Sequence, residues 1–294
     1  MKQRIGMIGV GLMGHGIARN IVRHGYPLTV VDHPGNQPLD ELVAGGATSV
    51  GTGEVLAREA DVIILCVTGS PQVEAVLTGA DGVLAGLRPG TVVIDCSTAV
   101  PGSTLRMAAL VVEAGGRFVD APMTRSVKEA HEGRLNLLVG ADEATFDEIR
   151  PLLACFAENI TRVGGTGAGH TMKLLHNYVS LGSVALISEA AACAKRSGVD
   201  LDVFVDVLAK GGGGGAALER VKPFLQSGET SGLTFHMSNA LKDLSYYVDM
   251  TKEASCAHPI ADAVRSTYSK AVELGGPQNP VLRLSDLMAD DAFL

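Results

Sequence analysis

The sequence predicts a doubly wound α/β domain followed by an all-helical domain. Three observations carry that expectation. Short β-branched runs alternate with helical stretches through the first half of the 294 residues. The alternation stops at a glycine-rich segment, residues 164–169, and only helical periodicity follows. A glycine pattern, Gly9-Val10-Gly11-Leu12-Met13-Gly14, comes directly after the first apolar run. Alternation of this kind builds a parallel sheet with helices on both faces.

In chain order, strands are expected at residues 4–8, 28–32, 62–67, 91–95 and 117–120. Helical patterns lie between them at 15–23, 71–77 and 103–114, and Gly25, Gly46, Gly90 and Gly115 punctuate the turns. Two more strands are expected at 135–139 and 160–163, with a helix at 141–156 between them. From 170 to 196 apolar residues recur at helical spacing, interrupted only by Gly182. Further helices are expected at 201–208, 217–221, 237–254 and 258–273, with no later strand. The pentaglycine 211–215 reads as a loop. The domains are therefore placed at 1–163 and 164–294.

Composition narrows the function. Apolar residues make up 46% and charged residues 19%, as in a globular protein. The net charge of −8 argues against nucleic acid and against an anionic membrane surface. Cys66, Cys96, Cys155, Cys193 and Cys256 are widely spaced and form no C-x-x-C pair. They read as reduced thiols of a cytoplasmic protein, and no metal site is expected. The N-terminus runs straight into a strand, so no signal peptide is expected, and no apolar run has the length of a bilayer span.

The first glycine pattern fits a dinucleotide. Gly9 permits the turn, Gly11 lets a pyrophosphate approach the backbone, and Gly14 lets the helix pack on the sheet. The helix start that follows offers N–H groups and a positive dipole end. Asp32, eighteen residues after Gly14, closes the next strand where a carboxylate can accept from ribose hydroxyls. The same charge repels a 2′-phosphate, and the next residues, His33-Pro34-Gly35, include no arginine. NAD is expected over NADP, which His33 could still admit. Val67 and Thr68 end another strand and would border the cofactor at that edge.

The second glycine pattern leads into His170-Thr171-Met172-Lys173-Leu174-Leu175-His176-Asn177. On a helix, Lys173 and Asn177 share one face. An ammonium there can polarise a carbonyl and carry a proton. Together the two patterns point to a dehydrogenase.

With these residues read, the chain resembles the β-hydroxyacid dehydrogenase family, which includes 3-hydroxyisobutyrate dehydrogenase, tartronate semialdehyde reductase and relatives of 6-phosphogluconate dehydrogenase. Four motifs in order carry the resemblance across nearly the whole chain. Gly9 to Gly14 match G-x-G-x-M-G, Met13 included. Asp120-Ala121-Pro122-Met123-Thr124-Arg125-Ser126, then Ala130 and Gly133, correspond to the substrate motif D-A-P-V-S-G-G and the A-x-x-G that comes after it. Gly164, Gly167, Gly169, Lys173 and Asn177 match the catalytic motif, and Lys242-Asp243 match the cofactor-side K-D pair.

The resemblance implies a Rossmann-type N-terminal domain with a 6-phosphogluconate dehydrogenase-like all-α C-terminal domain. It implies Lys173 as general acid/base, Asn177 as its orienting partner, and Thr98, after Asp95-Cys96-Ser97, near the nicotinamide. Lys242 would close on the nicotinamide, with a surface lysine paired to Asp243 as the competing reading. The implied reaction is hydride transfer between nicotinamide and a short 3-hydroxy acid or its semialdehyde, of the 3-hydroxyisobutyrate or 2-hydroxy-3-oxopropionate type. The implied assembly is a homodimer or homotetramer.

One motif departs from the pattern. Where the family carries Ser-Gly-Gly, this chain has Thr124-Arg125-Ser126. Thr124 keeps a hydroxyl, and Arg125 brings a fork suited to carboxylate, sulfonate or phosphate. The change resembles the Gly-Arg-Thr version in sulfolactaldehyde reductases. The substrate role for Arg125 is preferred over an outward pairing with Glu129, and a sulfonated or phosphorylated aldehyde is the alternative substrate. An imine reductase, against which Lys173 argues, and a non-catalytic dinucleotide sensor are the remaining rivals. His170 and His176 are read as ordinary helix residues.

Overall fold

A computed structural model describes residues 2–293. Strands β1 (Ile5–Ile8), β2 (Leu28–Val31), β3 (Thr48–Val50), β4 (Val62–Leu65), β5 (Val92–Asp95) and β6 (Arg117–Asp120) are followed by β7 (Met123–Thr124), β8 (Leu135–Gly140) and β9 (Ala157–Gly164). Helices of the same region are α1 (Leu12–Arg23), α2 (Asp40–Ala44), α3 (Gly53–Ala57), α4 (Ser70–Thr78), α5 (Val83–Gly86), α6 (Pro101–Glu113), α7 (Val127–Glu132) and α8 (Glu143–Leu153). Helix α9 (Ala168–Arg196) begins the all-helical remainder: α10 (Leu201–Lys210), α11 (Ala216–Ser227), α12 (Met237–Glu253), α13 (Pro259–Gly275) and α14 (Leu284–Ala289).

The first six strands are parallel in the order β3-β2-β1-β4-β5-β6, the doubly wound arrangement. Beyond β6 the sheet turns over: β8 runs antiparallel to β6 and β7, and β9 runs parallel to β8. β4 and β5 are buried along their whole length, which explains their unbroken apolar runs. One apolar cluster joins α1 and β1 to β8 and α8; a second lies around α3, α4 and α6 on the sheet. Gly25, Gly46, Gly90 and Gly115 all take positive φ, as their turn positions require.

The chain divides into two compact units, Met1–Lys173 and Leu174–Leu294. This division falls ten residues beyond the sequence-based boundary, inside α9, because the first turns of that helix are bonded to the sheet (below). The second unit is helical apart from short 3₁₀ turns, with cores around Leu244 and Tyr268 and around Val205 and Val221. No helix among the described residues is long and apolar enough to cross a membrane.

Several elements have no counterpart in the sequence reading. β3 is largely exposed and polar, β7 has two residues, and α2 and α3 have five each. None is long enough to show a period. α11 continues through Pro223 to Ser227, well past the expected end.

Candidate active site

The glycine-rich turn fits a dinucleotide. Gly9 has φ +92°, and a Cβ there would lie 2.3 Å from the Cys66 carbonyl; at Gly14 it would meet the Gly9 carbonyl at 2.0 Å. Both positions exclude any side chain. Around Gly11 nothing lies within 4 Å of the same probe position, so the backbone faces open space. Gly11 is the N-cap of α1, yet no side chain caps this helix and no acid stands in its first turn. Its N–H groups and dipole end are thus available to a phosphate. Val10 is buried, Met13 packs on the core, and Leu12 is 59% exposed at the turn.

Asp32 is exposed just past β2. The ring of His33 folds back so that its Nδ1 accepts from the Gly35 N–H at 3.0 Å. Val67 and Thr68 follow β4, and the Val67 N–H donates to Ser97 Oγ at 3.0 Å. Thr98 is half-buried beyond β5. All these residues stand at the carboxyl ends of parallel strands, where doubly wound sheets bind ligands.

The start of α9 is built differently. Asp120, fully buried at the end of β6, accepts from the Gly167 N–H at 2.7 Å and the His170 N–H at 2.8 Å. Gly140 and Gly169 give this carboxylate room: a Cβ would reach it at 2.3 and 2.8 Å. His170 is also fully buried, with Nδ1 2.8 Å from Thr104 Oγ1 and Nε2 3.2 Å from the Ser97 carbonyl. Asp95, register partner of Asp120, lies 3.9 Å from the His170 ring, and burial raises its carboxyl above the ordinary range. The joint formed by Asp120 and His170 is not visible in the sequence, because their partners are 47 to 73 residues distant. His170 anchors the start of α9 rather than standing as an ordinary residue on it.

The first turn of α9 is thereby fixed before Lys173. Its Nζ donates to the Met123 carbonyl at 2.6 Å, beside the Thr124-Arg125-Ser126 segment. Thr124 Oγ1 is 3.1 Å from Asn136 Nδ2, and Asn136 Oδ1 is 2.8 Å from Asn159 Nδ2. The Glu129 carboxylate accepts from the Ser126 N–H at 3.0 Å and the Ser126 hydroxyl at 2.6 Å, which holds it below its ordinary range. Ser126 is the N-cap of α7 and is used within the fold.

Arg125 has partners within the fold. Its φ of +80° is the left-handed conformation that suits glycine, and its Nη1 pairs with Glu158 and donates to the Arg134 carbonyl. The fork therefore lies on β9, neutralised by a carboxylate, and is not an open anion clamp. The expected alternative partner, Glu129, is occupied by Ser126. Ala130 and Gly133 serve packing: Asn20, buried on α1, donates to the carbonyls of Gly16, Ala130 and His131 at 2.8, 2.9 and 3.2 Å.

Within the helical unit, Asn177 Nδ2 donates to the buried Asp243 carboxylate at 2.6 Å, and Asn177 Oδ1 lies 3.0 Å from His176 Nδ1. Lys242 Nζ is 2.9 Å from Asp243 and stands over the Tyr246 ring at 5.1 Å. Asp243 is thus the residue that joins Asn177 and Lys242.

A doubly wound sheet with an open glycine-rich turn, a lysine-bearing helix start and a helical second unit defines a nicotinamide-dependent oxidoreductase. Comparison with known proteins gives the family. Residues 4–165 match the family model described as the NAD binding domain of 6-phosphogluconate dehydrogenase, and residues 167–284 match that of the NAD-binding of NADP-dependent 3-hydroxyisobutyrate dehydrogenase. The chain belongs to the β-hydroxyacid dehydrogenase family and uses NAD(P).

It is 33% identical to 2-(hydroxymethyl)glutarate dehydrogenase of Eubacterium barkeri over 92% of this chain and 90% of that one. To 2-hydroxy-3-oxopropionate reductase of Escherichia coli it is 31% identical over 98% of both. The Mycobacterium tuberculosis 3-hydroxyisobutyrate dehydrogenase structure with L-serine superposes with a TM-score of 0.90 at 26% identity, covering 99% of this chain and 100% of the other.

Proposed function

We propose that the protein interconverts a short 3-hydroxy acid and its semialdehyde, of the 3-hydroxyisobutyrate or 2-hydroxy-3-oxopropionate type, with NAD. The observation that carries this is the bond from Lys173 Nζ to the Met123 carbonyl, which sets the ammonium one residue from Thr124. In reduction Lys173 donates a proton to the nascent alkoxide; in oxidation it accepts the hydroxyl proton. The bound nicotinamide supplies or accepts the hydride. Thr124 binds the substrate carboxylate through its hydroxyl. Asn177, braced by Asp243, orients the reacting group, and Lys242 serves the cofactor side. Gly9 to Gly14 and α1 take the pyrophosphate, Asp32 the ribose, and Val67, Thr68 and Thr98 border the nicotinamide half.

NAD is preferred because Asp32 is exposed with no guanidinium beside it in sequence, and His33 is folded onto Gly35. A homodimer or homotetramer is supported by Leu175, Val179 and Leu186, which lie on one side of α9 and are 39%, 65% and 67% exposed. The described cysteines are all free, in keeping with the cytoplasm. A sulfonated or phosphorylated aldehyde is the second reading; Arg125 favours it by its chemistry, and it requires the fork to leave Glu158.

Initial rates with NADH and NADPH over short semialdehydes bearing carboxylate, sulfonate or phosphate test the proposal. A carboxylate substrate with NADH supports it. A clear preference for sulfonate or phosphate establishes the second reading. Silence across the panel with NADH still binding overturns both.

A further inference from the structure

We propose that Asn36 is a specificity-determining positioning residue of the cofactor site: its side chain fixes where Asp32 stands relative to the glycine-rich turn. This rests on the reading of Asp32 as the ribose-binding carboxylate. The half-buried amide of Asn36 spans two backbone segments. Oδ1 accepts from the Val10 N–H at 3.2 Å, and Nδ2 donates to the Val31 carbonyl at 3.0 Å. A backbone N–H only donates and a backbone carbonyl only accepts, so these partners leave one orientation of the amide. An aspartate cannot make both bonds, and an aliphatic side chain makes neither.

The neighbouring bonds turn this contact into a latch. The Gln37 N–H donates back to the Val10 carbonyl at 2.8 Å. The Asn36 N–H donates to the His33 carbonyl at 2.9 Å, and the Gly35 N–H to His33 Nδ1 at 3.0 Å. Residues 33–37 thus close on themselves and are fastened to the residue between Gly9 and Gly11. An asparagine that merely shaped its own turn would bond locally. This one reaches a segment 26 residues earlier in the chain.

The adenosine half of a dinucleotide makes two polar contacts here, phosphate at the start of α1 and ribose at Asp32. Their spacing must match the ligand to within a fraction of an ångström for both to count. β1 and β2 are bonded neighbours only up to Met7 and Val30. Past that point Asn36 holds the two strand ends at a set separation. Since the Val10 N–H is taken by Asn36, the phosphate draws on the first-turn N–H groups of α1. Loosening the latch lets Asp32 swing. That weakens ribose binding and relaxes the repulsion of a 2′-phosphate, so discrimination falls along with affinity.

The test is fluorescence titration of NADH and NADPH into the full-length protein and its Asn36→Ala, Asn36→Asp and Asp32→Ala variants, with amide hydrogen exchange at Val10. In N36A we expect NADH affinity to fall about five- to tenfold, as for two lost hydrogen bonds. NADPH affinity should stay within about twofold, the Val10 amide should exchange faster, and kcat at saturating NADH should be unchanged. N36D should also lose NADH affinity, since its carboxylate faces the Val31 carbonyl. It decides the matter if N36A does not fold. Wild-type NADH affinity in a folded N36A or N36D, or an equal loss for both cofactors, overturns the proposal. If D32A also binds NADH normally, the ribose reading itself is wrong. If D32A weakens NADH and N36A does not, only the latch fails.

Discussion

At the start of α1 the chain leaves Gly11 facing open space, with no capping side chain and no acid in the first turn. At the start of α9 it sets the buried Asp120 carboxylate against the N–H groups of Gly167 and His170. Both are glycine-rich helix starts with the same unsatisfied donors and the same dipole end. One is left open to an anion from outside; the other is filled by an anion of the chain. A glycine-rich helix start is therefore a ligand site or a structural joint according to what stands in front of it. Its own sequence does not say which.

The strongest break of the comparison is at the residue that the filled start delivers. Lys173→Ala should lower kcat by about 10²–10⁴-fold, the range for loss of a general acid, while NADH titrates as in the wild type. Turnover within tenfold of wild type would remove Lys173 from the chemistry. Next, Gly11→Asp makes the first start like the second. Its φ of −75° accepts any residue, and aspartate is a good N-cap. NADH affinity should drop by about a hundredfold or more, as a carboxylate takes the place of a phosphate, with the melting temperature unchanged or slightly raised. A variant that still binds NADH would place the pyrophosphate elsewhere.

Asp120→Asn works in reverse, since an amide offers one acceptor where the carboxylate offers two. A loss of roughly 3 kcal/mol in denaturant unfolding is expected from two charge-assisted bonds. Ser126→Ala removes the hydroxyl, the larger of the two Ser126 donors that hold Glu129 below its ordinary value of 4.5, and keeps the backbone N–H. The cost should be about 1 kcal/mol at neutral pH. Because the folded carboxyl lies below its unfolded value, this contribution is present above pH 4.5 and is lost as pH falls through the folded value. A pH-independent cost would assign the effect to something other than Glu129.

Arg125→Gly should change stability by less than about 1 kcal/mol, because relief of the left-handed strain offsets a partly exposed ion pair. Rates with carboxylate semialdehydes should stay within about twofold. A collapse of activity would return Arg125 to the substrate.

The parallel strands, the open glycine-rich turn and the long helix were legible because each repeats a backbone requirement within a short window: an apolar run, a glycine at φ +92°, a 3.6-residue period. β3, α2 and α3 were not, being too short and polar to show a period. The joint beneath Lys173 was hidden because Asp120, His170, Thr104 and Ser97 meet only after the sheet forms. The partner of Arg125 was not legible either: a guanidinium suggests an anion outside the chain, and Glu158, thirty-three residues on, provides one within it.

The amide of Asn20 has a meaning for the order in which the protein is made. It is buried among carbonyls of α7, more than a hundred residues later in the chain, and Gly16 receives the backbone of Ala130 against its bare face. A chain that ends after β6 therefore has α1 with the Asn20 amide bonded to Gly16 alone and the face of Gly16 uncovered. The packing of α1 is completed only by residues of α7. The glycine-rich turn and the segment after β7 are thus joined through α1 and α7.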